Sequence, residues 1–192
     1  MLRKDTLSGV KWTLKDFNGL EWFFSLSLIC PTPVLISSEF WPMLQLRGSQ
    51  ATKLDEKGRL KLPIGFRSEI EMECGKEFFI TSLKGDCVRL YPFPVWDEIE
   101  KKIATLPSKK PVVKKFLRVT NFFGQKSTMD SQGRILLPQD LRESAELKDE
   151  VRVVGSMDYL EIWKGETLKK DIKTNPWSDH DDEELTDIGI AG

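Results

Sequence analysis

The sequence predicts an α+β fold made of two tandem copies of one small, strand-rich unit. Residues 54–70 (LDEKGRLKLPIGFRSEI) and 129–145 (MDSQGRILLPQDLRESA) align without a gap at an offset of 75 residues. Six of these 17 aligned positions are identical, where ordinary composition would give about one. The similarity continues from Ile80–Tyr91 to Val153–Trp163 with one gap. Each copy is therefore predicted to run strand, turn, strand, short helix, strand, turn, strand.

The first turn of each copy carries the signature Asp-x-x-Gly, at Asp55–Gly58 and at Asp130–Gly133. Aspartate at the first position and glycine at the fourth are typical of a type I turn. We therefore expect both aspartates to shape turns rather than to act as acids or bases. Residues 59–62 alternate polar and apolar side chains, which favours a half-buried strand after the turn.

A proline ends this strand in each copy, Pro63 in the first and Pro138 in the second. Proline is well suited to the start of a helix, where its missing N–H is not needed. Helices are therefore predicted at residues 64–73 and 139–147. Asp86 and Asp158 are expected to mark the second turn of each copy.

The copies are predicted to form two small domains that share a core, the first at residues 43–96 and the second at 123–173. The connector is assigned to 97–122, and the sequence 97–124 predicts two helices broken near Leu106 and Pro107. The connector is the most basic stretch of the chain, with Lys101, Lys102, Lys109, Lys110, Lys114, Lys115 and Arg118.

Residues 1–42 and 174–192 differ from the rest of the chain. The apolar run from Trp22 to Cys30 is too short to span a bilayer as a helix. It resembles the core of a signal peptide, but acidic residues precede it and no clear cleavage site follows. We interpret residues 1–42 as an extension upstream of a natural start at Met43, with an exported form or an accessory segment as alternatives. The tail has six acidic and no basic residues and is predicted to be disordered.

Charge and composition limit the possible functions. The whole chain has a net charge of −1, but residues 43–173 have 25 Lys and Arg against 20 Asp and Glu. A basic body with an acidic tail is often found in proteins with charged partners. Three cysteines without paired spacing argue against a disulfide framework. With His180 as the single histidine, we expect no metal site, no cofactor and no enzymatic activity.

These motifs resemble those of the MraZ family over roughly residues 43–170. The resemblance lies in Met43-Leu44 and Arg47-Gly48, in the two Asp-x-x-Gly-Arg copies, and in the ending Glu161-Ile162-Trp163. A single copy would indicate only the wider AbrB-like group. The resemblance implies AbrB-like half-barrels with swapped hairpins that together form a pseudo-two-fold β-barrel with short flanking helices.

The resemblance also implies a function. It implies a cytoplasmic, nucleoid-associated transcriptional regulator, here expected to be a repressor. Its expected target is double-stranded DNA with direct repeats, upstream of a cell-division and cell-wall operon. We expect homo-oligomers in the form of rings. We expect no binding to a membrane and no small-molecule substrate.

Arg59 and Arg134 follow the turn glycines Gly58 and Gly133, and the resemblance places DNA binding on these arginines. An arginine at a hairpin tip fits this role, because its planar fork matches O6 and N7 of guanine. The alternative is that each arginine pairs with the aspartate of its own turn. Lys57 and Lys53 flank the first tip and are predicted to contact phosphate, with simple solvation as the alternative.

Other residues receive structural interpretations. Arg67 and Arg142, on the short helices near Glu69 and Glu143, are predicted to be structural. Two tryptophans, Trp96 and Trp163, are expected in the core or at subunit contacts. The lysines of 101–118 are predicted either to line the DNA or to form a solvated or inter-subunit helix. The alternative function is an antitoxin-like module whose tail binds and neutralises a partner protein.

Overall fold

The structure is a computed structural model. It describes residues 44–107 and 110–190, together with the backbone of two strands closer to the N-terminus. Contacts divide the chain into two units, Met1–Glu39 and Phe40–Gly192. Both sequence copies belong to the second unit.

The first unit contains one antiparallel hairpin. Strands β1 (Lys11–Lys15) and β2 (Glu21–Ser25) pair so that Lys11 is opposite Ser25. The remainder of the extension predicted over residues 1–42 lies outside the described residues.

The first copy follows the predicted order of elements. Its strands and helices are β3 (Ser49–Lys53), β4 (Arg59–Lys61), α1 (Ile64–Glu73), β5 (Glu77–Thr81), β6 (Val88–Pro92), α2 (Phe93–Ala104) and α3 (Pro111–Phe122). Helix α1 has the predicted bounds, and the connector contains the two predicted helices. Helix α2 begins directly after Pro92, so residue 96 lies within a helix.

The second copy repeats this order. Its elements are β7 (Gln125–Thr128), β8 (Arg134–Leu136), α4 (Gln139–Ser144), β9 (Glu150–Ser156), β10 (Tyr159–Trp163), α5 (Gly165–Thr174) and α6 (Asp179–Asp187). Helix α4 ends three residues before the predicted boundary at 147. Glu146 has a φ of +50°, and the Leu147 N–H donates to Arg142 O at 2.8 Å. This left-handed cap terminates the helix.

Strands of both copies form one antiparallel sheet in the order β3-β9-β10-β6-β5-β7. The order is palindromic, because each strand of one copy stands where its counterpart stands in the other. The outer strand of each copy pairs with the other copy, β3 with β9 and β7 with β5. The sheet is not closed into a barrel, so the closed barrel predicted from the resemblance is not confirmed. The reason is that β4 and β8 pair with each other as a separate sheet.

The pairing of β4 with β8 shows where the pseudo-two-fold axis passes. Leu60 is opposite Ile135, and these two residues are equivalent at the offset of 75. At the centre of the large sheet, Arg89 is opposite Glu161, and these residues are also equivalent. The axis therefore runs from the β4–β8 pair through the contact between β6 and β10.

The core lies on one face of the large sheet and extends beneath the β4–β8 pair. Five side chains of this core have no exposed surface: Leu60, Ile135, Phe78, Val88 and Leu160. Helices α1 and α4 cover them with the buried side chains of Phe66, Ile70 and Leu141. Trp96 and Trp163 are also buried, which confirms their predicted packing role. Trp96 stacks on Phe79 at 4.1 Å between ring centroids.

The tail, for which the sequence predicts disorder, contains helix α6. Ser178 caps the helix: its N–H donates to Asp181 Oδ2 at 2.8 Å, and the Asp181 N–H donates to Ser178 Oγ at 3.4 Å. The acidic residues of the first turn favour a helix N-terminus electrostatically. None of the residues of α6 is buried.

Within residues 44–107 and 110–190, every helix is too short or too polar to cross a bilayer.

Candidate nucleic-acid interface

The two Asp-x-x-Gly turns have the same hydrogen bonds. In the first, Gly58 N–H donates to Asp55 O at 2.8 Å, and Asp55 N–H donates to Arg59 O at 3.0 Å. In the second, Gly133 N–H donates to Asp130 O at 3.0 Å. Both glycines have positive φ, +75° and +77°. The predicted turns are therefore confirmed, and each places its arginine at the start of a strand.

The turns are held by the other copy. The Leu62 N–H donates to Gly133 O at 2.8 Å, and the Leu137 N–H donates to Gly58 O at 3.1 Å. A Cβ at Gly58 would lie 2.6 Å from Nε of Arg142, and a Cβ at Gly133 would lie 2.7 Å from NH1 of Arg67. Glycine is therefore required for the close approach of these arginines as well as for the turn.

Arg67 and Arg142 have the structural positions that the sequence predicts, but with different partners. Arg67 pairs with Glu71 at 3.3 Å and donates to Ser131 O of the other turn at 3.3 Å. The nearer acid in sequence, Glu69, instead accepts from the Gln45 N–H at 2.9 Å. Arg142 Nε donates to Leu137 O at 3.2 Å.

Strands β4 and β8 form a two-stranded ribbon with one buried and one outer face. Leu60 and Ile135 point into the core. Alternation places the neighbouring side chains on the outer face, where the cross-strand partners are Arg59 with Leu136 and Lys61 with Arg134. Lys61 is exposed, as is Leu136. The two arginines predicted from sequence thus share one surface, which we call the ribbon face: Arg59, Lys61, Arg134 and Leu136.

One aspartate lies beside both arginines of the ribbon face. Arg59 Nε donates to Asp55 Oδ2 at 2.7 Å, and Arg134 NH1 is 4.0 Å from the same oxygen. Arg59 therefore pairs with the aspartate of its own turn, as the alternative interpretation expects. Arg134 instead lies near the aspartate of the first copy. Both arginine side chains remain 34% exposed, so they are open to a ligand.

Both turn aspartates are ionised at neutral pH. Hydrogen bonds from the backbone N–H of Arg59, then from its side chain, lower the pKa of Asp55. The pKa of Asp130 is lowered by backbone N–H groups, first that of Arg134 and then that of Gln132. These carboxylates are acceptors for the turn, in agreement with the structural role predicted for them.

The predicted lysines occupy different places. Lys57 is exposed in the first turn, next to the ribbon face. Lys53 ends β3, where its cross-strand partner is Glu150. In the connector, Lys101 pairs with Asp97 and Glu98 at 2.9 and 2.6 Å. Of the predicted basic residues, Arg59, Arg134 and Lys57 are therefore the ones that the fold groups around the ribbon.

Two residues of the ribbon face were missed from the sequence. Lys61 follows Arg59 by two positions on a strand, so its place on the same face was open to prediction by alternation. The place of Leu136 depends on pairing between the copies, and no local signal indicates this pairing. The described residues contain no group of three or more His, Cys, Asp or Glu side chains that could hold a metal ion.

Comparisons with known proteins match both copies of the repeat. One family model matches residues 45–119 and 124–187, and its description reads MraZ protein and antitoxin-like. A protein named transcriptional regulator MraZ from Acidobacterium capsulatum is 44% identical over 144 residues, which are 75% of this chain and 99% of that protein. A protein of the same name from Koribacter versatilis is 44% identical over 145 residues, again 75% and 99% of the two chains. The chain therefore belongs to the MraZ family.

Proposed function

We propose that this protein is a transcriptional regulator that binds double-stranded DNA through the ribbon face. The observation that carries the proposal is the position of Arg59 and Arg134, which lie diagonally across from each other on the outer face of one two-stranded ribbon. The names of the relatives, transcriptional regulator MraZ, support the regulatory role.

The shape and chemistry of the ribbon suit the major groove. The major groove of B-DNA admits a two-stranded β-ribbon, and arginine recognises guanine there by a bidentate contact. Leu60 and Ile135 are buried in the core on the opposite side of the ribbon. The core therefore holds the ribbon face on a rigid support. Lys57 and Lys61 are exposed beside the arginines and are suited to contact phosphates, which orient a protein without specifying sequence.

The target and the assembly are also proposals. By its resemblance to the family, the protein acts in the cytoplasm, associated with the nucleoid, as a repressor. We place its target at direct repeats upstream of a cell-division and cell-wall operon. The second tip has Gln132 where the first has Lys57, so we expect the first tip to bind more strongly. We propose a homo-oligomer larger than a dimer, because the two copies already satisfy each other's strands within one chain.

The test is DNA binding by the purified full chain, followed by fluorescence anisotropy. One probe is a labelled duplex of the DNA immediately upstream of the protein's own gene, and the other is a scrambled duplex of equal composition. Arg59→Ala is expected to weaken binding to the upstream duplex by about 5- to 150-fold for each subunit that contacts DNA, since one arginine–guanine pair contributes about 1–3 kcal/mol. Arg134→Ala is expected to have a smaller effect.

The matched control is Arg118→Ala, which removes the same charge from an exposed position in α3. It is expected to change binding by less than about threefold, because Arg118 lies in the connector and not on the ribbon face. Binding by folded Arg59→Ala within about threefold of wild type, together with a large loss in Arg118→Ala, would transfer the interface to the basic connector. Circular dichroism confirms the fold of each variant.

A second candidate function is binding to a partner protein, in the manner of an antitoxin. The family description includes the word antitoxin-like, and Trp177 and Ile188 are exposed on or beside α6. This function predicts a partner that co-purifies in fixed stoichiometry and is lost when residues 175–192 are removed. Sequence-specific DNA binding without such a partner would favour the first function.

A further inference from the structure

We propose that Asp55 is a positioning residue that holds Arg59 by Nε and thereby presents the terminal nitrogens of the guanidinium to a guanine base. The inference rests on the proposed DNA-binding function. It assigns a role in DNA specificity to Asp55, for which the sequence predicts only a structural role in the turn. It applies to the first copy and not to the second.

The turn fixes the direction of the Asp55 carboxylate. Its Oδ1 accepts from the backbone N–H groups of Lys57 and Arg59 at 3.0 and 2.9 Å. With Oδ1 held in this way, Oδ2 points towards the ribbon face and accepts from Arg59 Nε at 2.7 Å. A rigid backbone turn therefore sets the position of the arginine side chain.

The second copy has the same turn but a different arrangement of side chains. Asp130 Oδ1 accepts from the backbone N–H groups of Gln132 and Arg134 at 2.8 and 2.9 Å. The side chain of Arg134, however, approaches Asp55, with 4.0 Å between NH1 and Oδ2. Asp55 thus neighbours both arginines, and the two aspartates are equivalent in sequence but not in side-chain contacts.

Contact through Nε is the arrangement that leaves the arginine able to read a base. Guanine O6 and N7 accept two hydrogen bonds from neighbouring donors of the planar guanidinium. A carboxylate on Nε uses the donor farthest from the tip and restricts the side chain before DNA arrives. Less conformational freedom is then lost on binding. The same negative charge repels phosphates, so Asp55 is expected to weaken binding to any DNA that has no guanine in the correct place.

The test compares Asp55→Asn with Asp130→Asn in the full chain. Asparagine keeps an Oδ1 acceptor for the turn, and both variants remove one negative charge, so they differ only in the contact with the arginines. The probes are the upstream duplex and the scrambled duplex. The measured quantity is the specificity ratio, which is the dissociation constant for the scrambled duplex divided by that for the upstream duplex.

We expect Asp55→Asn to lower the specificity ratio at least tenfold, with tighter binding to the scrambled duplex. Asp130→Asn is expected to tighten binding to both duplexes and to leave the ratio within threefold of wild type. Because Asp55 acts through Arg59, adding Asp55→Asn to Arg59→Ala is expected to change the ratio by less than twofold. A purely structural role would lower the ratio further in that background.

The outcomes separate this inference from the proposed function. Equal ratios in Asp55→Asn and Asp130→Asn, alongside a large loss in Arg59→Ala, would overturn the positioning role and leave the DNA-reading role intact. A wild-type protein that binds the two duplexes equally would overturn both. If Asp55→Asn does not fold, Asp55→Ser, whose hydroxyl also accepts from the turn, is measured against Asp130→Ser with the same expectations.

Discussion

Arg142, on helix α4 of the second copy, lies against Gly58, in the first turn of the other copy. A Cβ at position 58 would come within 2.6 Å of Arg142 Nε, and this nitrogen donates to Leu137 O at 3.2 Å. Arg67 has the reciprocal relationship with Gly133. Each turn that carries an arginine of the ribbon face is thus seated on an arginine of the other copy.

Gly58→Ala is therefore expected to destabilise the protein more than an alanine at a comparable glycine. Gly75 is the matched control, because its φ is +80° and nothing lies within 4 Å of a Cβ there. Both substitutions introduce strain of about 1–2 kcal/mol at positive φ. Gly58→Ala also displaces Arg142 and its hydrogen bond, which adds about 1 kcal/mol. Urea unfolding measures both free energies.

The excess at Gly58 depends on Arg142, so it is expected to disappear when both variants are made in an Arg142→Ala background. An equal loss of stability for Gly58→Ala and Gly75→Ala in the wild-type background would contradict the seating of the turn by Arg142.

The Arg89–Glu161 pair on the pseudo-two-fold axis is expected to favour pairing of unlike copies. Arg89 Nε lies 3.3 Å from Glu161 Oε1, with side chains 25% and 18% exposed, in a geometry that makes an ion pair but no hydrogen bond. Arg89→Glu would place two carboxylates opposite each other in a half-buried site. We expect a loss of about 3 kcal/mol, as for a broken buried pair.

The charge reversal Arg89→Glu with Glu161→Arg is expected to recover part of that loss. Recovery is incomplete because Trp163 Nε1 donates to Glu161 at 3.0 Å. Lys101→Glu is the surface control, since the Lys101 side chain is 62% exposed, and it is expected to change stability by about 1 kcal/mol or less. Thermal unfolding of the four proteins gives the comparison. No recovery in the double variant would contradict the expected charge complementarity of Arg89 and Glu161.

Leu136→Lys is expected to strengthen binding to DNA without regard to sequence. Leu136 is 48% exposed and has a lysine, Lys61, as its counterpart in the first copy. A lysine there adds one phosphate contact, so the slope of log affinity against log salt should steepen by about 0.9. Met157→Lys, at an exposed position in the turn between β9 and β10, is the control. Equal slopes for the two variants would place the ribbon face away from DNA.

Cys87 is expected to resist alkylation in the folded protein. Burial, and next the charge of Glu161, raises the pKa of Cys87 to about 12, and the side chain is buried. Because the thiolate is the reactive form, iodoacetamide at pH 8 should modify Cys87 only after unfolding. Cys74 is half-buried, and burial raises its pKa to about 11, so it should react before Cys87. Peptide mass spectrometry resolves the two sites, and equal rates in the native state would refute the prediction.

Local signals in the sequence determined the elements of this protein. Aspartate and glycine at fixed spacing predicted both turns, Pro63 predicted the start of α1, and the repeat at an offset of 75 predicted two equivalent copies. These features depend on the backbone preferences of a few neighbouring residues, so they can be read without the fold. For the acidic tail the overall charge indicated disorder, whereas the local capping contacts of Ser178 with Asp181 accompany a helix.

Only the tertiary structure decided how the copies combine. The pairing of β3 with β9 and of β4 with β8 joins segments far apart in sequence, and no local preference specifies such pairing. The ribbon face, the contact of Asp55 with both arginines, and the seating of Gly58 on Arg142 all depend on it. The sequence determined which residues form turns and strands, and long-range packing decided which of them became neighbours.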